Sequence, residues 1–285
     1  MLGHKLYQTL PRDQFTVAAA VRAFEPLASL GLFQESAVLS DVDARRFDSI
    51  IGAFAAAKPD AVINCIGIVK QRAEANDPIP SLEINARFPH RLAQLCRATG
   101  SRLIHISTDC VFSGKKGMYT EQDQSDAEDL YGRSKFLGEV GEPPALTLRT
   151  SIIGREIESR YGLVEWFLGS RGRVRGFTGA IYSGFTTLEF SKIIARVLLD
   201  FPDLSGVYHV SSDPISKHDL LGLVRAAFAV DTEIDEDRSV ILDRSLDSGR
   251  FRKLTGYRPP AWPEMIRAMA ADTTPYDDWR SKHAS

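Results

Sequence analysis

Short apolar runs rich in β-branched residues recur through the first half of the chain, and helical patterns separate them. Ala61–Ile66 (AVINCI), Arg102–Ser107 (RLIHIS) and Ala145–Arg149 (ALTLR) read as strands. Phe15–Val21 (FTVAAAV) and, more weakly, Ser36–Ser40 read the same way. Between them lie helical stretches at Ala44–Ala57, Ser81–Thr99 and Leu130–Val140. Nearly continuous apolar strands alternating with amphipathic helices require a parallel sheet covered on both faces. The expected fold class is therefore α/β, a doubly wound, Rossmann-like parallel sheet. Its ligands belong at the carboxyl ends of the strands.

The alternation weakens after about Arg155. Tyr161–Leu168 and Thr187–Leu199 still look helical, and Gly206–Val210 looks like a late strand. Beyond Ala227 the chain is more polar, with short helices expected near Ser248–Leu254 and Pro263–Ala271. The predicted division is a nucleotide-binding domain over 1–154 and a smaller, mainly substrate-binding lobe over 155–285. Segments near 185–212 are expected to return to the sheet.

A doubly wound domain opens with strand, glycine-rich turn and helix. Here Met1–Leu6 reads as the end of that turn and the first helix, with Gly3 as the only glycine of the motif. The first strand is missing. Two readings follow: Met1 is an internal methionine with roughly ten further residues encoded upstream, or the chain is a truncated relative. The first is preferred because the later motifs look intact.

Composition excludes several classes. Of 285 residues, 44% are hydrophobic and 25% charged, and the formal net charge is −2, so nothing suggests a nucleic-acid or membrane surface. Three widely spaced cysteines, Cys65, Cys96 and Cys110, fit a reducing compartment better than a disulfide framework. No metal site is expected. The longest apolar run is too short to span a bilayer, and the start lacks a signal-peptide pattern. The protein reads as cytoplasmic.

Tyr131-Gly-Arg-Ser-Lys135 is the central chemical feature. On a helix, i and i+4 share a face, which sets a phenol beside an ammonium. A nearby cation favours phenolate, so such a tyrosine can exchange a proton with a carbonyl oxygen. Alone, the spacing is also compatible with a Tyr packed on a Lys stem. Upstream, Arg102–Thr108 is an apolar strand ending in Ser107 and Thr108, whose hydroxyl either bonds a substrate oxygen or caps the following loop.

Ser107-Thr-Asp-Cys-Val-Phe-Ser-Gly114, Tyr119-Thr-Glu121 and Tyr131-Gly-Arg-Ser-Lys-Phe-Leu-Gly-Glu139 together resemble the extended short-chain dehydrogenases. The similarity is greatest to the dTDP-4-dehydrorhamnose reductase family of sugar-nucleotide reductases. Val62–Gly67, Asn85 and Leu148-Arg-Thr-Ser151 extend it. The resemblance implies Thr108, Tyr131 and Lys135 as catalytic residues. Tyr131 would protonate the carbonyl oxygen and Thr108 would hold it. Lys135 would lower the Tyr131 pKa and bind the nicotinamide ribose.

It further implies a cofactor site drawing on Gly3, His4, Asp41, Asn64, Cys65, Gly67 and Asn85, with Tyr131 and Lys135. Arg22, at the end of the second expected strand, favours the 2′-phosphate of NADPH, with NADH possible. Substrate contacts would come from Lys70, Thr108, Asp109, Arg175 and Arg244, cations being suited to a diphosphate. Each of these three cations also reads as a solvated surface charge.

Sugar-nucleotide dehydratases carry Thr-Asp-Glu where this chain has Thr108-Asp109-Cys110, which favours reduction over dehydration. The expectation is NAD(P)H-dependent reduction of a 4-keto sugar nucleotide. A sugar-nucleotide epimerase and a non-catalytic cofactor-binding regulatory subunit are the alternatives. A homodimer is a possible assembly.

Overall fold

The computed structural model describes residues 1–71 and 73–283. Along the chain come α1 (Leu2–Thr9), β1 (Ala19–Ala20), α2 (Glu25–Ala28), β2 (Val38–Leu39), α3 (Phe47–Ala57), β3 (Ala61–Asn64), α4 (Pro78–Ser81), α5 (Phe88–Thr99), β4 (Arg102–Thr108), α6 (Leu130–Leu137) and β5 (Ala145–Thr150). There follow β6 (Ile152–Ile153), α7 (Leu163–Gly169), β7 (Arg173–Tyr182), β8 (Phe185–Thr186), α8 (Thr187–Asp200), β9 (Gly206–His209), β10 (Ile215–Ser216), α9 (Lys217–Phe228), β11 (Glu233–Asp243), α10 (Gly249–Thr255), α11 (Trp262–Ala270) and α12 (Tyr276–His283).

The main sheet runs β3–β4–β5–β9, and all three pairings are parallel. Side chains alternate across it, as strand geometry demands. Leu103 joins Phe54, Phe88, Leu92 and Cys96 on one face. Ile104, Leu146 and Leu148 join Leu2, Leu6, Phe190 and Ile194 on the other. Helices thus cover both faces, α3 and α5 on one and α1 and α8 on the other, in the expected α/β arrangement.

β1 pairs only with β2, also in parallel, and no ladder joins that pair to β3 among the described residues. In doubly wound order the opening strand lies between the second and the fourth. The break in the sheet falls at that place. β3 shows the consequence: Ala61–Ile63 are half-buried, whereas β5 is buried throughout. The long strand expected over Phe15–Val21 contracts to Ala19–Ala20, because its apolar residues have a ladder partner on one side only. We expect the alternate Ala61–Asn64 amides that turn away from β4 to exchange with solvent at least ~100-fold faster than those of Ala145–Thr150. Hydrogen exchange read residue by residue checks this, and equal protection would contradict it.

A second sheet, β10–β7–β11, lies outside the main one. Its long strands were not expected from sequence, because β11 (EIDEDRSVILD) is charged on both faces. Cross-strand pairs explain it: Arg173 binds Glu233 and Asp235, and Arg175 binds Asp237. The helix predicted over Ser81–Thr99 is present with a wider π turn at Leu82–Arg87. No helix among the described residues is long and apolar enough to cross a membrane, and no group of three or more potential ligands among them could hold a metal ion.

Candidate active site

β4 delivers Thr108 to its carboxyl end, and the chain then turns sharply through Asp109–Val111. The Thr108 hydroxyl accepts the Cys110 N–H at 3.1 Å and donates to Asp109 Oδ1 at 3.0 Å. It is thus both the loop cap and a group of the site. Asp109 is buried, and burial lifts its carboxyl above the usual range although the Arg244 cation opposes this. Burial and the adjoining Asp109 push the Cys110 thiol up to about 12, so it stays protonated at neutral pH.

α6 carries Tyr131 and Lys135 up to this strand end. Its start is fixed by Asp129, whose side chain accepts the Gly132 N–H at 2.7 Å and the Lys70 ammonium at 2.6 Å. An Asp immediately before the helical run is an N-cap signal, and it is readable in the sequence. Two glycines of the motif are there for close approach. A Cβ on Gly132 would lie 2.2 Å from the Cys110 carbonyl oxygen, and one on Gly138 1.9 Å from that of Asn85. Any side chain at either position would push α6 off the strand end.

Tyr131 is half-buried, and burial raises its phenol pKa, while the Thr108 hydroxyl works against the rise. Lys135 is buried, with Nζ donating to the Ile106 carbonyl at 2.8 Å. Burial lowers its pKa to about 8, with Glu139 and Cys65 opposing. Both members of the pair therefore sit closer to neutrality of charge than in water.

On the facing side stand Tyr182, at the end of β7, and Arg244, just past β11. Arg244 donates to the Phe112 carbonyl at 2.7 Å and reaches Cys110 Sγ at 3.7 Å. The Tyr182 phenol is raised first by burial, then by Asp109 and Cys110. Lys70 also acts on Cys110. Arg175 is elsewhere, in the exposed ion pair with Asp237 on the outer sheet, where its charge is already matched.

The cofactor-side residues divide. Arg22 is exposed just beyond β1, and Asp41 is exposed beyond β2, paired with Arg46. Cys65, Ile66 and Gly67 expose the carboxyl end of β3. The carboxyl ends of the strands are where a doubly wound fold places its ligands. Asn64 and Asn85 face inward. Asn64 bonds His105 and the Ile66 N–H. Asn85 holds the loop after β3 through both Ile68 backbone groups and reaches Ser134. They shape the site from behind.

Gly3 packs beside Cys65. His4 turns away to the Tyr276 hydroxyl at 2.9 Å, and burial lowers its pKa to about 3. Its side chain belongs to the contact between α1 and the C-terminal helix.

Behind the strand end is a buried network that sequence reasoning missed. Arg149 makes a two-pronged bond to Glu139 (2.8 and 2.7 Å), with side chains only 7% and 5% exposed. Ser107 donates to the same carboxylate at 2.6 Å. Arg149 also donates to His209 Nε2, which leaves Nδ1–H to donate to the Tyr119 carbonyl. The tautomer is thus fixed, and burial keeps His209 neutral. Glu139, Arg149 and Tyr119 all lie inside the motifs named above. Their role is to fasten α6, β5 and β9 together beneath Thr108.

The sequence model of the family described as the RmlD substrate binding domain matches residues 1–159. The probable low-salt glycan biosynthesis reductase Agl14 of Haloferax volcanii is 27% identical over 223 residues, covering 74% of this chain and 71% of that protein. The dTDP-4-dehydrorhamnose reductase of Mycobacterium tuberculosis is 37% identical over 102 residues, 32% of this chain and 33% of that enzyme. Among solved structures, dTDP-4-dehydrorhamnose reductase from Bacillus anthracis in complex with NADP superposes with a TM-score of 0.77 at 19% identity, over 95% of each chain. A Thermus thermophilus UDP-glucose 4-epimerase complexed with NAD gives 0.72 at 19% identity, over 98% of this chain and 96% of that one. At that identity the superpositions establish the fold, the doubly wound sheet built above. The family match spans more than half of the 285 residues and contains the strand end, α6 and the motif around them, and on that ground the chain belongs to the RmlD substrate binding domain family.

Proposed function

We propose that this protein is an NADPH-dependent reductase of a 4-keto sugar nucleotide, of the dTDP-4-dehydrorhamnose reductase type. The observation that carries the reading is the meeting of Thr108, Tyr131 and Lys135 at the carboxyl end of β4. The names of the relatives point to the same chemistry.

Tyr131 gives its proton to the carbonyl oxygen of the substrate. Thr108 holds that oxygen. Lys135, one helical turn on, supplies the cation that stabilises the phenolate left behind. Its present bond to Ile106 must loosen for that role, or its field must act from where it is. NADPH, when bound, supplies the hydride; Arg22 suits its 2′-phosphate and Lys135 its nicotinamide ribose. Arg244 and Lys70, whose charges act on Cys110, are the cations for the substrate diphosphate. The Cys110 thiol, protonated at neutral pH, is a poor acid or base, and no glutamate stands beside Asp109 to drive water elimination.

The test is NADPH consumption followed by absorbance with a panel of 4-keto sugar nucleotides. The reading expects saturable turnover with at least one of them and weaker use of NADH. No oxidation of either cofactor with any member of the panel would contradict it.

A further inference from the structure

Thr108 and Asp109 carry an inference that rests on the reductase reading and deepens it. A hydroxyl has one proton and two lone pairs. At Thr108 one lone pair takes the Cys110 N–H at 3.1 Å, and the proton goes to Asp109 Oδ1 at 3.0 Å. The remaining lone pair takes no hydrogen bond among the described residues. With Asp109 ionised, the Thr108 proton that would hold a carbonyl oxygen is therefore occupied inside the protein. With Asp109 protonated the order reverses. The carboxylic acid donates into the second lone pair of Thr108, which releases the Thr108 proton. That proton is then free for the substrate oxygen.

We propose that Asp109 is a positioning residue that decides whether Thr108 can donate to the substrate oxygen: its protonated form releases the hydroxyl proton and its ionised form holds it. No proton is lost in the switch beyond the one Asp109 exchanges with solvent.

The surroundings favour the protonated form more than water does. Burial raises Asp109; the Arg244 cation, from the segment after β11, and the bonds from Thr108 and Cys110 lower it without cancelling the rise. Tyr131 on α6 and Tyr182 at the end of β7 also face it. Because the folded pKa is raised, the competent acid form is present at low pH. It is lost as pH rises through that value, above the ordinary carboxylate range near ~4.

The experiment is the pH profile of single-turnover NADPH oxidation for wild type, Asp109→Asn and Thr108→Val. An infrared difference titration of the carboxyl C=O band accompanies it. The asparagine amide donates to Thr108 at every pH. Wild type should therefore lose rate in two steps, the second set by Lys135 near pH 8. Asp109→Asn should lack the first step, up to tenfold per pH unit, and keep the second. Thr108→Val should also lack the first step at a lower overall rate. A protonated carboxyl band missing in Asp109→Asn should disappear over the same pH range as the first step. If Asp109→Asn keeps the first step, or no such band titrates with it, the proposal is overturned while the reductase reading stands. If wild type oxidises NADPH at no pH, the reductase reading fails and this proposal falls with it.

Discussion

Tyr131→Phe is expected to lower turnover by about 10²- to 10⁴-fold, the usual contribution of a positioned proton donor, while leaving the fold intact. The change removes one oxygen from a half-buried ring. The ring keeps its place because α6 is held by Asp129 at its start and by Gly132 and Gly138 against the neighbouring backbone. Loss of the hydroxyl is expected to change stability by no more than about 1 kcal/mol. Single-turnover kinetics alongside a thermal melt separate the two effects. Turnover within a few-fold of wild type would remove Tyr131 from the chemistry.

Glu139→Gln is expected to give the largest stability loss, about 3–5 kcal/mol, because it leaves the Arg149 guanidinium buried without its counter-charge. Arg149 is boxed in by His209, whose accepting nitrogen is already committed, and Phe112 lies over it. No solvent is at hand to replace the carboxylate, given side chains 7% and 5% exposed. The double variant Glu139→Gln, Arg149→Met should recover much of that loss, since removing both charges avoids the stranded cation. Chemical denaturation of the three proteins measures it. A single variant as stable as wild type would show that the pair does not hold these elements together. Lys135 provides a second readout: Glu139 raises its pKa, so the Lys135 step in the pH profile should move to lower pH in Glu139→Gln.

Much of the fold and of the site is legible in the amino-acid sequence. β4 and β5 are readable because a strand buried on both faces is predominantly apolar, and Leu103, Ile104, Ile106, Leu146 and Leu148 supply that pattern around the buried Arg102, His105, Thr147 and Arg149. The strand end, α6 and the pair on it are readable because phenol, ammonium and hydroxyl stand at fixed spacings. What fails to read has physical causes. β11 is stabilised by cross-strand ion pairs with β7, and such pairs leave no apolar alternation in either strand. Arg175 reads as a free cation for an anionic substrate, but its partner Asp237 lies 62 residues away. His4 reads as a cofactor neighbour beside Gly3, but its contact, Tyr276, comes from the far end of the chain. The family resemblance puts Asn85 against the cofactor. The π turn at Leu82–Arg87 instead aims it at the loop after β3, and no sequence period reports a single wide turn.

The most direct measurement of the central claim uses NADPH carrying deuterium at the transferable position of the nicotinamide, with mass analysis of the sugar nucleotide after turnover. The account predicts one deuterium in the product, a two-electron reduction of the 4-keto group, and stoichiometric NADP⁺; in Tyr131→Phe the label should move at least ~100-fold more slowly. A sugar nucleotide that changes configuration at its oxidation level with no net NADP⁺ formed would identify an epimerase, and bound NADPH with no label transfer to any 4-keto sugar nucleotide would identify a non-catalytic binding subunit; either result would contradict the reductase account.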